Sequence, residues 1–227
     1  MRKFYKAALS LATAGILIGG LAACAPMADT TDETDTTPTE EVEVDPTPVA
    51  SIPALDGVST EVTLDQGFVD ALGSLGLTPG LIGTATLVDG VLGFPVTAGN
   101  VDYYDPEEDY RPYVQGSISY DGSGITLTGG DIVVGLSDFR IDPGTSQLFG
   151  TVTANGEVVG EDIFIFNLDG STLKPLSMDA DGNAVLEGTT VLISPDAAAL
   201  LNDTFGTTAV TDELVVGIAK ITAKAAA

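Results

Sequence analysis

From residue 59 onward, short hydrophobic runs alternate with pairs of turn residues. These pairs are Asp-Gly, Asn-Gly and Pro-Gly dipeptides, and they occur at Asp89-Gly90, Asp121-Gly122, Pro143-Gly144, Asn155-Gly156, Asp169-Gly170 and Asp181-Gly182. Such pairs accommodate tight hairpin turns, and the Val-, Ile-, Thr- and Phe-rich runs between them favour pleated strands. The pattern therefore predicts a series of antiparallel hairpins.

The hydrophobic runs predict about a dozen short, mostly antiparallel strands. We expect these strands near residues 60–64, 81–88, 91–96, 99–104, 113–120, 124–128, 131–141, 147–153, 157–160, 162–168, 171–177, 184–193 and 213–222. Turn signals spaced roughly 8 to 12 residues apart are typical of a sandwich, barrel or roll. The run 162–168 is apolar on both faces and should lie in the middle of the sheet. The predicted fold class is all-β.

Two segments interrupt the strand pattern, and each predicts a short peripheral helix between two strands. The first helix is expected over about 66–75 after Asp65, and the second over about 195–205 after Ser194. Asp and Ser are favoured N-caps, and a glycine follows each segment where a helix commonly ends. We expect the two strand–helix–strand units to pack side by side; chance similarity in Ala-, Leu- and Gly-rich sequence is the alternative.

The first 24 residues have the pattern of an export signal. Basic residues at positions 2, 3 and 6 precede an apolar run that ends in Leu21-Ala22-Ala23-Cys24. The run is at the short end of what crosses roughly 30 Å of hydrocarbon, which favours cleavage over a transmembrane anchor. Its end resembles the lipobox of bacterial lipoproteins. The resemblance implies a signal peptide over residues 1–23, a lipidated Cys24 and a membrane partner bound through the acyl chains.

The segment after Cys24 is rich in Thr, Pro, Asp and Glu. Residues 25–50 contain eight acidic residues and no basic one, so they cannot bury enough apolar surface to offset the entropy of ordering. We expect a disordered acidic linker over 24–58 and a single all-β domain over 59–227. Ala25 replaces the Asp that retains lipoproteins at the inner membrane in enteric-type sorting. The expected location is therefore exported and lipid-anchored, at the cell surface or in the outer membrane or periplasm.

Composition narrows the function further. The chain has 33 Asp and Glu against 8 Lys and Arg, for a formal net charge of −25. Such a charge repels phosphate backbones, so no nucleic acid partner is expected. The chain has no His, and its single Cys is the residue expected to be lipidated. Imidazole bases and thiolate nucleophiles are therefore excluded. We therefore expect that the protein is not an enzyme. The alternative is a hydrolase that uses carboxylate side chains for catalysis.

The densest polar-aromatic feature spans residues 103–113. The candidate recognition residues are its four tyrosines and its arginine: Tyr103, Tyr104, Tyr110, Arg111 and Tyr113. Tyrosine combines a flat contact surface with a polar tip at low entropic cost. We expect this loop to contact an unidentified protein, glycan or small-molecule ligand. The alternative is that the tyrosines support the sheet edge.

Carboxylates in the same region suggest calcium as a cofactor, and no other cofactor is expected. Asp102, Asp105, Glu107 and Asp109 offer the hard oxygen ligands that Ca²⁺ prefers. Their order does not match the spacing of an EF-hand. Calcium is therefore a hypothesis that depends on the fold bringing these side chains together.

The order of short strands from Phe94-Pro95-Val96 through 116–118 and 136–142 to Leu148-Phe149-Gly150 resembles the HtaA-type haem-uptake surface domains of actinobacteria. The resemblance covers about 60 residues and implies an all-β cell-envelope domain. Haem ligation in that family involves Tyr and His, and this chain has no His, so no ligand residue is transferred. We expect a lipid-anchored envelope protein with a non-catalytic binding or structural β domain; binding of a small-molecule or haem-type ligand is the alternative.

Overall fold

The computed structural model describes residues 46–55 and 58–224, which form a curled sheet of 13 strands with two helices. The strands are β1 (Ala50–Ile52), β2 (Ser59–Leu64), β3 (Thr78–Gly83), β4 (Thr86–Val88), β5 (Val91–Pro95), β6 (Ala98–Tyr103), β7 (Val114–Gly129), β8 (Ile132–Asp142), β9 (Gln147–Ala154), β10 (Glu157–Asp169), β11 (Ser177–Met178), β12 (Ala184–Ile193) and β13 (Val215–Ala223); the helices are α1 (Gln66–Ser74) and α2 (Pro195–Phe205). The predicted all-β class is confirmed.

The strand order across the sheet is β1-β6-β7-β8-β9-β10-β12-β13-β2-β5-β4, with β11 paired to β12 and β3 paired to β7. Every pairing is antiparallel. Consecutive strands from β6 to β10 are neighbours, as hairpin connections require. The second half of the order brings the last strand, β13, next to β2 near the start of the domain.

Two strands are longer than predicted because irregularities replace turns. β7 continues through Asp121-Gly122, where a hairpin turn was expected, and its register with β8 shifts between Tyr120 and Gly124. The Gly122 N–H donates to Asp138 Oδ1 at 2.8 Å, so the pair forms a bulge instead of a turn. β10 likewise continues past residue 161 with three register shifts. β7 can therefore pair with β6 along its first half and with β3 along its second.

Other expected strands differ in extent. The run 81–88 divides into β3 and β4, and most of 171–177 forms a loop before β11. That loop has one internal backbone bond, from Leu173 N–H to the Gly170 carbonyl at 3.0 Å, and one bond to β12, from Lys174 N–H to the Glu187 carbonyl at 2.8 Å. The loop thus lies against β12 without forming a ladder.

Both helices occupy the predicted segments, because their starts are set by local caps. The Asp65 carboxylate accepts from the Gly67 N–H at 2.7 Å. The Ser194 hydroxyl accepts from the Ala197 N–H at 3.0 Å and donates to the Phe164 carbonyl at 2.5 Å. Ser194 is fully buried, so its cap also ties α2 to β10.

The two strand–helix units meet at β13, which pairs with β12 on one side and β2 on the other. Lys220 of β13 stands opposite Glu187 of β12 and Glu61 of β2. The core between the strands is apolar and contains an edge-to-face contact of Phe94 with Phe139, whose ring centroids are 5.5 Å apart. This arrangement places the two units side by side, as the sequence suggests.

Regular structure is present before residue 59, within the segment 24–58 that the sequence predicts to be a linker. β1 pairs with β6, and Leu55 is 6% exposed, with its N–H donating to the Gly99 carbonyl at 2.8 Å. The apolar side chains of Ile52 and Leu55 explain the difference, because both pack into or against the core. The predicted signal peptide, Cys24 and the linker up to residue 45 lie outside the described residues. Within the described residues, neither helix has the length and hydropathy needed to cross a membrane.

Candidate ligand-binding cavity

An apolar cavity of about 530 Å³ lies among strands from both halves of the sheet. Small-molecule sites in proteins typically enclose about 300–1,000 Å³. Seven strands and three connecting loops contribute to its lining, which comprises Ala50, Ile52, Val101, Tyr103, Arg111, Pro112, Tyr113, Val114, Ile118, Ile141, Pro143, Gly144, Ser146, Leu168, Gly170, Leu173, Leu176, Ala184, Leu186, Thr189, Ala219, Ile221 and Ala223. The cavity therefore has the size and lining of a small-molecule site.

The two-residue period of the strands places these side chains on one face. On β13, every second residue from Ala219 to Ala223 lines the cavity. On β12, Ala184 and Leu186 do the same, and a register shift between Glu187 and Thr189 brings Thr189 to that face. The outward positions between them carry the charged residues of these strands.

Small side chains explain why this part of the interior is open. Ala184 of β12 stands directly opposite Ala223 of β13, and Ala50 and Ala219 also line the cavity. Leu or Phe at such positions would fill much of the volume. The cavity is thus encoded by a cluster of alanines that are distant in sequence.

Two of the candidate tyrosines reach the cavity. Tyr103 ends β6 and is 8% exposed, while Tyr113 immediately precedes β7; both line the cavity. Their ring centroids are 6.1 Å apart in an edge-to-face arrangement. The β6–β7 pairing holds the ends of the loop together, with the Tyr104 N–H donating to the Tyr113 carbonyl at 2.7 Å. The β6–β7 hairpin therefore places Tyr103 and Tyr113 together in one wall of the cavity.

Tyr104 and Tyr110 contact each other in the connecting loop, with ring centroids 4.7 Å apart, and neither lines the cavity. All four tyrosines are buried or half-buried. The structure thus divides the five candidate residues into three that line the cavity and two that brace the loop.

Arg111 lines the cavity from the exposed side, and its guanidinium is bonded to the loop itself. Nη2 donates to the Pro106 carbonyl at 2.9 Å, and Nη1 donates to the carbonyls of Tyr110, at 2.9 Å, and of Glu108. Its Cζ also lies 5.6 Å from the centroid of the Tyr113 ring, within cation–π distance. Arg111 therefore closes the loop over the Tyr113 wall.

Burial raises the pKa of Tyr103 above its usual value of 10.0, and the neighbouring Tyr113 raises it further. A hydrogen bond with the Leu176 backbone acts in the opposite direction, and the Asp105 carboxylate adds a smaller upward contribution to the pKa. Tyr103 is therefore a neutral phenol at physiological pH. Such a group can form a hydrogen bond with a ligand but does not carry charge.

The predicted calcium ligands do not converge. Asp102 accepts a hydrogen bond from Ser51 Oγ at 2.5 Å, and Asp105 accepts from the Glu107 N–H at 2.9 Å. Across residues 46–55 and 58–224, no group of three or more Asp, Glu, Cys or His side chains is placed to hold a metal ion. Calcium binding at Asp102, Asp105, Glu107 and Asp109 thus stays a sequence-based prediction without a ligand cluster.

A second apolar groove of about 270 Å³ lies between α1 and strands β3, β4, β5 and β7. Leu81 of β3 and Leu87 of β4 are 46% and 42% exposed along it. Sequence reasoning identified neither this groove nor the alanine-lined wall of the larger cavity. The available signal for that wall was the recurrence of alanine at positions 219 and 223, on the same face of β13.

One solved structure with a similar fold is the C-terminal domain of HtaA from Corynebacterium glutamicum. It aligns with a TM-score of 0.52 and 15% sequence identity, covering 76% of this chain and 97% of that domain. At this identity the similarity concerns the fold alone, and it supports the HtaA-like order of strands noted in the sequence. No protein-family model matches the chain, and no curated protein matches it significantly.

Proposed function

We propose that this domain binds a small, predominantly apolar molecule in the 530 Å³ cavity and performs no catalysis. The observation that carries the proposal is the volume of the cavity combined with its lining, which is hydrocarbon apart from a few neutral polar groups and Arg111. Protein interiors otherwise pack like organic crystals, with few voids larger than a water molecule. A space of this size therefore requires a reason.

Energy supports a ligand as that reason. This cavity opens to solvent, so its hydrocarbon wall faces water when no ligand is bound, and covering apolar surface contributes roughly 25 cal/mol per Å². An apolar ligand that covers this wall would therefore be stabilised by burial.

The lining also argues against the hydrolase alternative. None of the residues that line the cavity is Asp or Glu, so the cavity contains no carboxylate pair for acid–base or nucleophilic chemistry. The Tyr103 phenol has a raised pKa and is poorly suited to act as a base near neutral pH. Binding without chemical change is the function that fits these groups.

We also infer that the protein is exported and held at a membrane through Cys24, with the acidic segment as a spacer. The support is the order of basic, apolar and small residues before Cys24 and the composition of 25–45. A ligand-binding domain on such a spacer would operate at the cell envelope, clear of the bilayer. The partners proposed are therefore a membrane and a small molecule.

N-phenyl-1-naphthylamine, a neutral apolar dye that brightens when it leaves water, tests the proposal. The purified full chain should give a saturable fluorescence increase with one site. Ala184→Phe should weaken binding by at least about tenfold, because the ring occupies the space opposite Ala223. Val158→Phe is the matched control, since Val158 is 60% exposed and outside the lining.

Two outcomes would contradict the proposal: an absence of saturable binding, or equal weakening by the two Phe variants. Haem is the alternative ligand suggested by the resemblance in strand order, and the same proteins can be titrated with it while absorbance is followed. Haem binding that Ala184→Phe removes would make haem the ligand of this cavity.

A further inference from the structure

We propose that the cavity selects uncharged ligands, which have an apolar body and at most a hydroxyl or carbonyl group, over carboxylates with the same body. This inference rests on the proposed function and adds the class of ligand. It follows from three observations. The polar groups in the lining are mostly neutral, the nearby basic side chains already have bonding partners, and acidic residues adjoin lining residues in the sequence.

The polar side chains that line the cavity, Arg111 apart, are hydroxyls: those of Tyr103, Tyr113, Ser146 and Thr189. A neutral hydroxyl can donate to a ligand carbonyl or accept from a ligand hydroxyl. A carboxylate moved from water into this apolar surrounding loses hydration that such groups replace only in part. The lining therefore favours ligands whose polar end is neutral.

The basic residues near the cavity already have partners. Arg111 is the cation among the described residues that form the lining, and its two terminal nitrogens donate to three carbonyls of its own loop. Lys174 and Lys220 neighbour lining residues in sequence, but each forms an ion pair, with Glu187 at 2.8 Å and Glu61 at 3.3 Å. To pair with Arg111, an anionic ligand would have to replace the hydrogen bonds between the guanidinium and these carbonyls.

Acidic residues adjoin lining residues in the sequence. Asp142 and Asp169 directly follow the lining residues Ile141 and Leu168, and both carboxylates are fixed by turn hydrogen bonds, to Thr145 N–H at 3.2 Å and Ser171 N–H at 2.8 Å. The Asp105 carboxylate is near enough to raise the pKa of the Tyr103 phenol. Since the chain carries a net charge of −25, its overall field opposes the approach of an anion.

A matched pair of ligands tests this selectivity. 1-Dodecanol and dodecanoate have the same chain and differ at the head group, and each can displace N-phenyl-1-naphthylamine from the full chain at about pH 8. We expect dodecanoate to bind at least about tenfold more weakly, the size of one like-charge interaction at about 8 Å and an effective dielectric constant of about 30. The difference should narrow as salt rises from about 20 mM to about 0.5 M.

Asp105→Asn keeps the acceptor oxygen that binds the Glu107 N–H and removes the charge, so it should improve dodecanoate binding and leave dodecanol binding unchanged. Asp203→Asn makes the same change on the exposed face of α2, outside the lining, and should alter neither.

Equal or tighter binding of dodecanoate would overturn the inference. If Arg111→Gln then removed that preference, Arg111 would be the group that recognises the anion. These results differ from failure of the proposed function, in which the dye itself would not bind. Binding of the dye and of both ligands without discrimination would refute the selectivity and leave the cavity as a binding site.

Discussion

The buried hydroxyl pair of Thr60 and Tyr120 allows a quantitative test of the core. Tyr120 is 2% exposed and Thr60 is 4% exposed, and their oxygens are 2.5 Å apart. Tyr120→Phe removes one partner and leaves the Thr60 hydroxyl buried beside an apolar ring. Thr60→Val has the converse effect on the Tyr120 hydroxyl.

A buried polar group that loses its partner costs about 1–3 kcal/mol, whereas replacing both partners by apolar groups of similar shape is nearly neutral. Each single variant should therefore lower the free energy of unfolding by about 1–3 kcal/mol, and the double variant should lower it by clearly less than the sum. We expect a coupling energy of about 1–2 kcal/mol from urea unfolding of the four proteins, with unchanged m-values.

Tyr120 should also make the free energy of unfolding depend on pH in the alkaline range. Burial raises the pKa of Tyr120 well above its usual value of 10.0, so the folded state keeps a proton that the unfolded state loses. Stability should be fully present below about pH 10 and should fall above it by up to about 1.4 kcal/mol per pH unit. Tyr120→Phe should show a shallower decline, with the remainder including Tyr103, whose pKa is also raised.

Additive single variants, with a coupling energy below about 0.3–0.5 kcal/mol, would mean that the two hydroxyls do not depend on each other. A double variant that costs more than the sum of the two single variants would indicate that the shapes of the side chains, and not their hydrogen bond, determine the cost. An identical alkaline decline in Tyr120→Phe would contradict the assignment of that decline to the buried phenol.

Three further predictions concern the anchor, the linker and a close backbone contact. Cys24→Ser should release or misprocess the protein, and an unmodified Cys24 thiol found by mass spectrometry in membrane-derived protein would refute lipidation. Deleting 26–45 should leave the melting temperature nearly unchanged, whereas a deletion extended through Leu55 should lower it, because that removes β1 and a buried side chain. Gly83→Ala should cost more than about 2 kcal/mol, since its Cβ would lie 1.8 Å from a backbone carbonyl oxygen; Gly182→Ala, also at positive φ but in open space, should cost about 1–2 kcal/mol, and equal costs would refute the steric explanation.

The fold class and the helices could be predicted because their signals are local. Asp65 and Ser194 bond to backbone N–H groups two or three residues away, so a short stretch of sequence contains the whole cap. The alternation of strand residues is local in the same sense. These features follow from the chain within a few residues of each position.

The bulge at Asp121-Gly122 shows where local reasoning failed. Asp-Gly is a good hairpin turn in isolation, but here Gly122 is bonded to Asp138, sixteen residues away on the neighbouring strand. Whether Asp121-Gly122 forms a hairpin turn or a β-bulge depends on that partner. The sequence alone does not supply the register of β7 against β8.

The candidate site, too, could be predicted from the sequence only in part. The sequence by itself marked the tyrosine-rich loop, because an unusual composition is visible without a fold, and it determined the all-β architecture through alternation and turns. The tertiary structure decided that Tyr103 and Tyr113 form a cavity wall, that Tyr104 and Tyr110 do not, and that Ala184 meets Ala223 across two strands. The physical reason is that a cavity is an absence of side-chain volume, and only the long-range pairing of strands determines which small residues share the same space.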